Sequence, residues 1–293
     1  MRFGIITPVL TRLPRAHARW EVDAGIAEVA EIARAAERLG FSHLTCSEHV
    51  AVPETVAPVR GATYWDPLST FGYLAAVTER IRLATFVLVL GYHHPLAIVK
   101  RYGTLDRICG GRLILGLGVG SLREEFELLG APFEGRGAAA DDAIAAIRAA
   151  WGRPVPAYRG THYSFEGFVV DPTAPRTDVP VWIGGRTARS LRRAVELAEG
   201  WAPFGLAPER IAAMLTRARD TEAWDRRAAP LEVILWADPP VDPAGDPAGA
   251  AAALGRLAEA GATVANLRVV HHSFAHYMEQ LEATTALDVF TPA

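Results

Sequence analysis

Lysine, asparagine and cysteine are almost missing from this chain. Lys100 is the only lysine among the 293 residues, and it lies inside the helix predicted to begin at Pro95 rather than at the end of a strand. A Schiff-base enzyme needs a desolvated lysine facing its substrate, so aldolase-like and pyridoxal chemistry are disfavoured. Asn266 is the only asparagine, and Leu267 and Arg268 follow it, so there is no N-glycosylation acceptor. The two cysteines, Cys46 and Cys109, sit in apolar surroundings and read as buried free thiols, not as a disulfide or metal framework. No apolar run reaches the length of a membrane span, and no signal-peptide pattern precedes the strand at Arg2 to Ile6, so the expected compartment is the cytoplasm. The formal net charge of −3 leaves no basic excess for nucleic acid or an anionic membrane. Converging carboxylates are scarce too: neither the paired Asp and Glu of a magnesium site nor a His-x-His metal motif is present. His272 and His276 stand one helical turn apart, but with no third ligand in view they read as surface histidines, and no metal is expected.

With 50% hydrophobic and 22% charged residues, the chain can bury a sizeable core. It is organised around Ile81 to Glu125. Ile81 to Leu90 is a nearly unbroken apolar run, the pattern of a parallel strand buried on both faces. Pro95 opens a helix whose Ile98, Tyr102, Leu105 and Cys109 fall on one face, and Gly110 with Gly111 stops it. Leu113 to Leu117 is a second buried strand. Gly116, Gly118 and Gly120 leave bare backbone at its exit, where something must approach closely.

The remaining chain repeats this order. Asp23 reads as the N-cap and Gly40 as the C′ residue of a helix, and Phe41 to Ser47 is a strand that delivers Glu48 and His49 at its end. An irregular, lid-like segment, Val50 to Trp65, precedes a helix opened by Asp66 and Pro67. Arg153 to Pro180 is rich in proline with a hairpin pattern, and is expected to be an insertion capping one end of the fold. Strands near residues 2, 41, 81, 112, 181, 200, 231 and 263, each with a helix after it, predict a single-domain (β/α)₈ TIM barrel over residues 1–293, with the insertion at about 153–180. A doubly wound sheet with a dinucleotide fingerprint would need glycine where the chain has Ser121.

In such a barrel the active site forms at the C-terminal strand ends. Gly184, Gly185, Arg186 and Thr187 follow a strand and open a helix, so backbone N–H groups, the helix dipole and a guanidinium converge where an anion can sit. A tight turn capped by Thr187 accounts for the same residues equally well. Read alone, Phe86 and Val87 are core residues, and Glu48 with His49 is an isolated polar pair.

The segments TERIRLAT from Thr78, HHP from His93, TLD from Thr104, GGR from Gly110 and LGLGVG from Leu115 resemble the luciferase-like monooxygenase superfamily, above all its coenzyme F420 branch. The likeness continues at Gly40 to Val50 and Val181 to Trp201. The resemblance implies a homodimeric, F420-dependent oxidoreductase that transfers a hydride between the deazaflavin and a largely apolar small molecule, with an F420 or flavin reductase as redox partner. Carried over by position, Glu48 and His49 are the catalytic pair, Glu48 standing where the family usually has Asp. Phe86 and Val87 flank a cis peptide under the cofactor ring, Val119 and Gly120 pass close to it, and Gly184, Gly185, Arg186 and Thr187 hold its phosphate tail. Tyr64, Trp65, His93, His94 and Trp236 are the expected substrate lining. Three alternatives stay open: an FMN-dependent monooxygenase using reduced flavin and oxygen, a non-catalytic F420- or FMN-binding protein, and a barrel isomerase without a redox cofactor.

Overall fold

The computed structural model describes residues 1–14 and 16–293. Eight parallel strands close into a barrel: β1 (Arg2–Ile5), β2 (His43–Cys46), β3 (Arg82–Thr85), β4 (Leu113–Gly118), β5 (Val181–Gly184), β6 (Gly200–Ala202), β7 (Glu232–Leu235) and β8 (Val264–Leu267). Closure shows in the register. Arg2 of β1 pairs with Val264 of β8, Leu83 of β3 with Leu113 of β4, Val181 of β5 with Leu115 of β4, and Ile234 of β7 with Val264 of β8. Each strand is followed by a helix, in order α1 (Ile26–Leu39), α2 (Pro67–Val77), α3 (Pro95–Ile108), α4 (Arg136–Ala150), α5 (Ala188–Leu197), α6 (Pro208–Arg219), α7 (Pro247–Glu259) and α8 (Phe274–Thr285). This is the expected (β/α)₈ fold.

Ala84, Ile114, Trp182, Ala202, Ile234 and Val264 fill the barrel interior, while the larger core lies between the strands and the helix ring. A polar plug closes the interior towards its N-terminal end. Fully buried His43 binds Asn266 at 2.6 Å through Nε2 and Ser42 at 2.8 Å through Nδ1, and its ring stands edge-on to Trp182. The Trp182 indole donates to Glu232 at 2.7 Å, and Arg2 pairs with the same carboxylate. No helix among the described residues is long and apolar enough to cross a membrane.

Three local expectations are corrected. Asp23 does not cap α1. It ends a separate turn, Trp20–Asp23, and α1 starts at Ile26, where the Glu28 carboxylate reaches back to the Gly25 N–H at 2.7 Å. The apolar run from Ile81 is not one strand, because β3 ends at Thr85, a cis peptide joins Phe86 to Val87, and Leu88–Val89 then pairs with Leu117–Gly118. The 153–180 segment carries the expected hairpin, Tyr158–Arg159 with Ser164–Phe165, but does not cap an end. It runs along the outside of α3, from His94, whose ring meets Tyr163, to buried Asp106, which accepts from Arg176 Nε and Nη2, each at 3.0 Å.

Candidate functional site

A cavity of about 790 Å³ opens at the C-terminal ends of the strands. Every loop that lines it leaves a strand end: Thr11 and Leu13 after β1, Ser47 to His49 after β2, Phe86 to Val89 after β3, Val119 to Ser121 after β4, Gly185 to Thr187 after β5, Phe204 after β6 and Trp236 after β7. The lid-like segment adds Arg60 and Tyr64. Its far end is held by an antiparallel pairing of Thr63–Tyr64 with Thr11–Arg12, and Arg60 reaches across to the Ser121 hydroxyl at 2.8 Å.

Glu48 and His49 both line this cavity, but they face different partners. The Glu48 carboxylate accepts from the Val89 N–H and from His93 Nε2, each at 2.7 Å, so both oxygens are engaged within the protein. His49 turns its Nδ1 to Glu125, at 2.6 Å, and its ring lies edge-on to Tyr64 with centroids 4.5 Å apart. Burial raises the Tyr64 phenol, which therefore remains a neutral donor.

Phe86 and Val87, joined by the cis peptide, form the cavity floor. The Ser47 hydroxyl donates to the Phe86 carbonyl at 2.8 Å, and the Phe86 ring meets Trp236 edge-on at 5.9 Å. Here the bare backbone of β4 finds its explanation. A Cβ on Gly118 would run into the Val87 side chain, and one on Gly120 into Phe126 and Val89. What approaches this strand is the protein's own β3 exit, which the glycines admit beside the cavity.

The turn after β5 is the capped turn of the earlier reading. Thr187 caps α5, its hydroxyl accepting from the Ser190 N–H at 3.2 Å while the Ser190 hydroxyl accepts from the Thr187 N–H at 3.1 Å. The next N–H groups of that first turn, those of Ala188 and Arg189, have no partner among the described residues. Arg186 and Arg189 line the same wall and make neither a hydrogen bond nor an ion pair among the described residues. Arg136 lies near them, stacked on Phe133 at 3.6 Å and bound to the Gly120 carbonyl. Of the acids lining the cavity, Glu134 is engaged with Arg123 and Glu48 is enclosed. The lining thus combines guanidinium groups with aromatic rings, and Arg186 lies 5.7 Å from the Phe204 ring.

Twelve of the fifteen residues singled out from the sequence therefore line one cavity: Glu48, His49, Tyr64, Phe86, Val87, Val119, Gly120, Gly184, Gly185, Arg186, Thr187 and Trp236. Trp65, His93 and His94 do not. Trp65 packs on the core, His93 supports Glu48, and His94 caps α3 by accepting from the Leu96 N–H. His272 and His276 stack with centroids 4.1 Å apart, beside Gln280 and away from this cavity. Sequence reasoning missed Glu125, Arg60, Arg136 and Arg189. Glu125 sits in the acidic first turn of the short helix Arg123–Leu128, a pattern ordinary for a solvent-exposed helix start, yet it is buried.

A closed parallel barrel with a polar and aromatic cavity at its C-terminal strand ends has the layout in which (β/α)₈ barrel enzymes build their active sites. The luciferase-like monooxygenase family profile matches residues 1–286, and the chain belongs to that family. It is 31% identical over 191 residues to a Mycobacterium tuberculosis protein provisionally named a coenzyme F420-dependent oxidoreductase, covering 61% of this chain and 51% of that protein. The fold superposes on monooxygenase RslO1 from Streptomyces bottropensis with a TM-score of 0.78 at 21% identity, over 99% of both chains. It also superposes on the coenzyme F420-dependent tetrahydromethanopterin reductase of Methanopyrus kandleri, with a TM-score of 0.75 at 17% identity over 99% of both chains.

Proposed function

We propose that this protein is an F420-dependent oxidoreductase acting on a largely apolar organic substrate. The observation that carries the reading is the cationic wall: Arg186, Arg189 and the open first turn of α5 face the cavity with no acid among the described residues paired to them. The F420 tail bears a phosphate and several carboxylates, more negative charge than the single phosphate of FMN, and this wall suits such a polyanion. The cavity volume lies in the range of cofactor and ligand pockets, and its Tyr64, Phe86 and Trp236 offer a surface for an apolar partner.

When bound, the deazaflavin supplies or takes up the hydride. The chain's own residues do the rest. Arg186, Arg189 and the α5 amides would hold the anionic tail, and Val87, Val119, Gly120, Gly184 and Gly185 would line the space for the ring. Tyr64, Phe86 and Trp236 would hold the apolar substrate. His49 is the group that gives or takes a proton, in place of the enclosed Glu48. The homodimer and the reductase partner belong to the same proposal.

Equilibrium binding followed through tryptophan fluorescence tests it, since Trp236 lines the cavity. F420 should bind at least tenfold more tightly than FMN, a gap of about 1.4 kcal/mol. The opposite preference would favour the oxygen-using FMN monooxygenase. Binding of neither would refute the cofactor reading.

A further inference from the structure

We infer that Glu125 is a positioning residue that sets which nitrogen of His49 carries the proton, and so presents Nε2 to the cavity as an acceptor. The inference rests on the proposed role of His49, but its geometry stands apart from any cofactor. Glu125 is only 1% exposed and is surrounded by donors. One oxygen, Oε1, accepts from the Val50 N–H at 2.6 Å and the Ala51 N–H at 3.1 Å. The other, Oε2, accepts from His49 Nδ1 and from the Tyr92 hydroxyl, both at 2.6 Å.

These four contacts leave Glu125 one role. Burial alone would raise its pKa, but the bonds from His49, Tyr92 and the Ala51 N–H outweigh it and hold the carboxyl below its ordinary range. An ionised carboxylate only accepts, so the nitrogen facing it must carry hydrogen. Burial, followed by the facing carboxylate, pushes the Tyr92 phenol upward, so this donor also keeps its proton. Nδ1 is therefore a nitrogen that carries hydrogen. Nε2, which has no hydrogen-bond partner among the described residues, is left with a lone pair for a donor in the cavity. The same carboxylate pins the first residues of the lid-like segment, so one buried group sets both the ring's tautomer and the start of the loop that carries Arg60 and Tyr64.

Glu125→Gln makes the argument testable, because the four donors are not equally adaptable. The Val50 and Ala51 N–H groups can only donate, so they will keep the amide oxygen and turn the NH₂ towards His49 and Tyr92. A histidine can change tautomer and a tyrosine hydroxyl can rotate. The amide should thus donate to Nδ1 and move the ring proton to Nε2.

The experiment is long-range ¹H–¹⁵N NMR of the histidine rings at about pH 8.5, two units above the ordinary histidine value. His49→Gln assigns the signal. Wild-type protein should show His49 protonated at Nδ1, Tyr92→Phe should show the same, and Glu125→Gln should exchange the two nitrogen signals. Protonation at Nε2 or at both nitrogens in the wild type would overturn the inference, as would an unchanged tautomer in a folded Glu125→Gln. Should that variant not fold, as judged by circular dichroism, the wild-type and Tyr92→Phe spectra decide alone. No cofactor or substrate is present in these samples. A failure to bind F420 would therefore leave the tautomer result standing, and a wrong tautomer would leave the cofactor reading standing.

Discussion

On the adjacent strands β3 and β4, the carbonyl oxygen of Thr85 occupies the place that a Cβ on Gly116 would take, while the Thr85 hydroxyl donates to the Gly116 carbonyl at 2.8 Å. The contact is backbone against backbone, immediately before the cavity floor at Phe86. Nothing flexible can give way there, so Gly116→Ala should cost about 2–3 kcal/mol. Gly255, within α7, has nothing within 4 Å of its missing Cβ. Gly255→Ala should therefore stabilise by about 0.5–1 kcal/mol through helix propensity alone. Urea unfolding of both variants reads the contrast, and equal stabilities would contradict the close approach of β3 to β4.

Arg186 and Arg189 face the cavity without an ion pair among the described residues. Replacing either by alanine should weaken F420 binding about tenfold and leave stability nearly unchanged, since neither makes a hydrogen bond or ion pair among the described residues and Arg186 only approaches the half-exposed Phe204 ring, at 5.7 Å. The salt dependence of binding should flatten in the double variant. Unaltered affinity in Arg186→Ala and Arg189→Ala would remove the cationic wall from the proposal.

His93 lies beside the cavity without lining it, as the donor to buried Glu48. His93→Leu leaves one carboxylate oxygen unpaired in a nearly dry site, so it should destabilise the fold by about 1–3 kcal/mol. Trp236→Ala, by contrast, should act mainly on ligand binding. Thermal unfolding and fluorescence titration of the two variants separate these roles, and a fully stable His93→Leu with impaired substrate binding would restore the role read from the sequence.

Burial holds His43 well below an ordinary histidine, from 6.5 down to about 3. Between those values the unfolded chain binds a proton that the folded chain does not. The His43 contribution to stability is therefore complete above about pH 6.5 and is lost as the pH falls towards 3, by on the order of a few kcal/mol. Burial lowers His271 as well, which adds to the same slope. The stabilisation from the depressed carboxyls of Glu125, Asp142 and Asp242 is fully present above their ordinary values of 4.5 and 3.8 and is lost only as the pH falls below them. Urea unfolding at several pH values should show stability falling from about pH 6.5 to 4.5, with a shallower fall in His43→Leu whatever its absolute stability. Parallel slopes would assign the loss to other groups.

The order of strands and helices was legible because its signals are local. Asp66 before Pro67 caps α2 by accepting from the Ser69 N–H at 2.8 Å, Thr187 caps α5, and Gly40 at φ 85° ends α1. Each acts within one turn of chain. Asp23 misled because an acidic residue before a helix looks like a cap even when the helix begins three residues later, at Ile26. His93 and His94 misled because adjacency to a strand end says nothing about which way a side chain turns: one meets a carboxylate and the other the first turn of its own helix.

By itself, then, the sequence determined the barrel, through apolar strands at regular intervals, amphipathic helices between them, and caps and glycines at their ends. It also determined the concentration of His, aromatic and Arg side chains at the strand exits. Tertiary structure alone decided how these groups are paired. Glu125 lies 76 residues from His49 and Glu48 lies 45 from His93, and these neighbours become partners only when the loops after β2, β3 and β4 meet at one end of the closed barrel. Within that enclosed end an unpaired carboxylate would be costly, so each glutamate takes the donors that barrel closure brings to it. Local sequence carries no record of that choice.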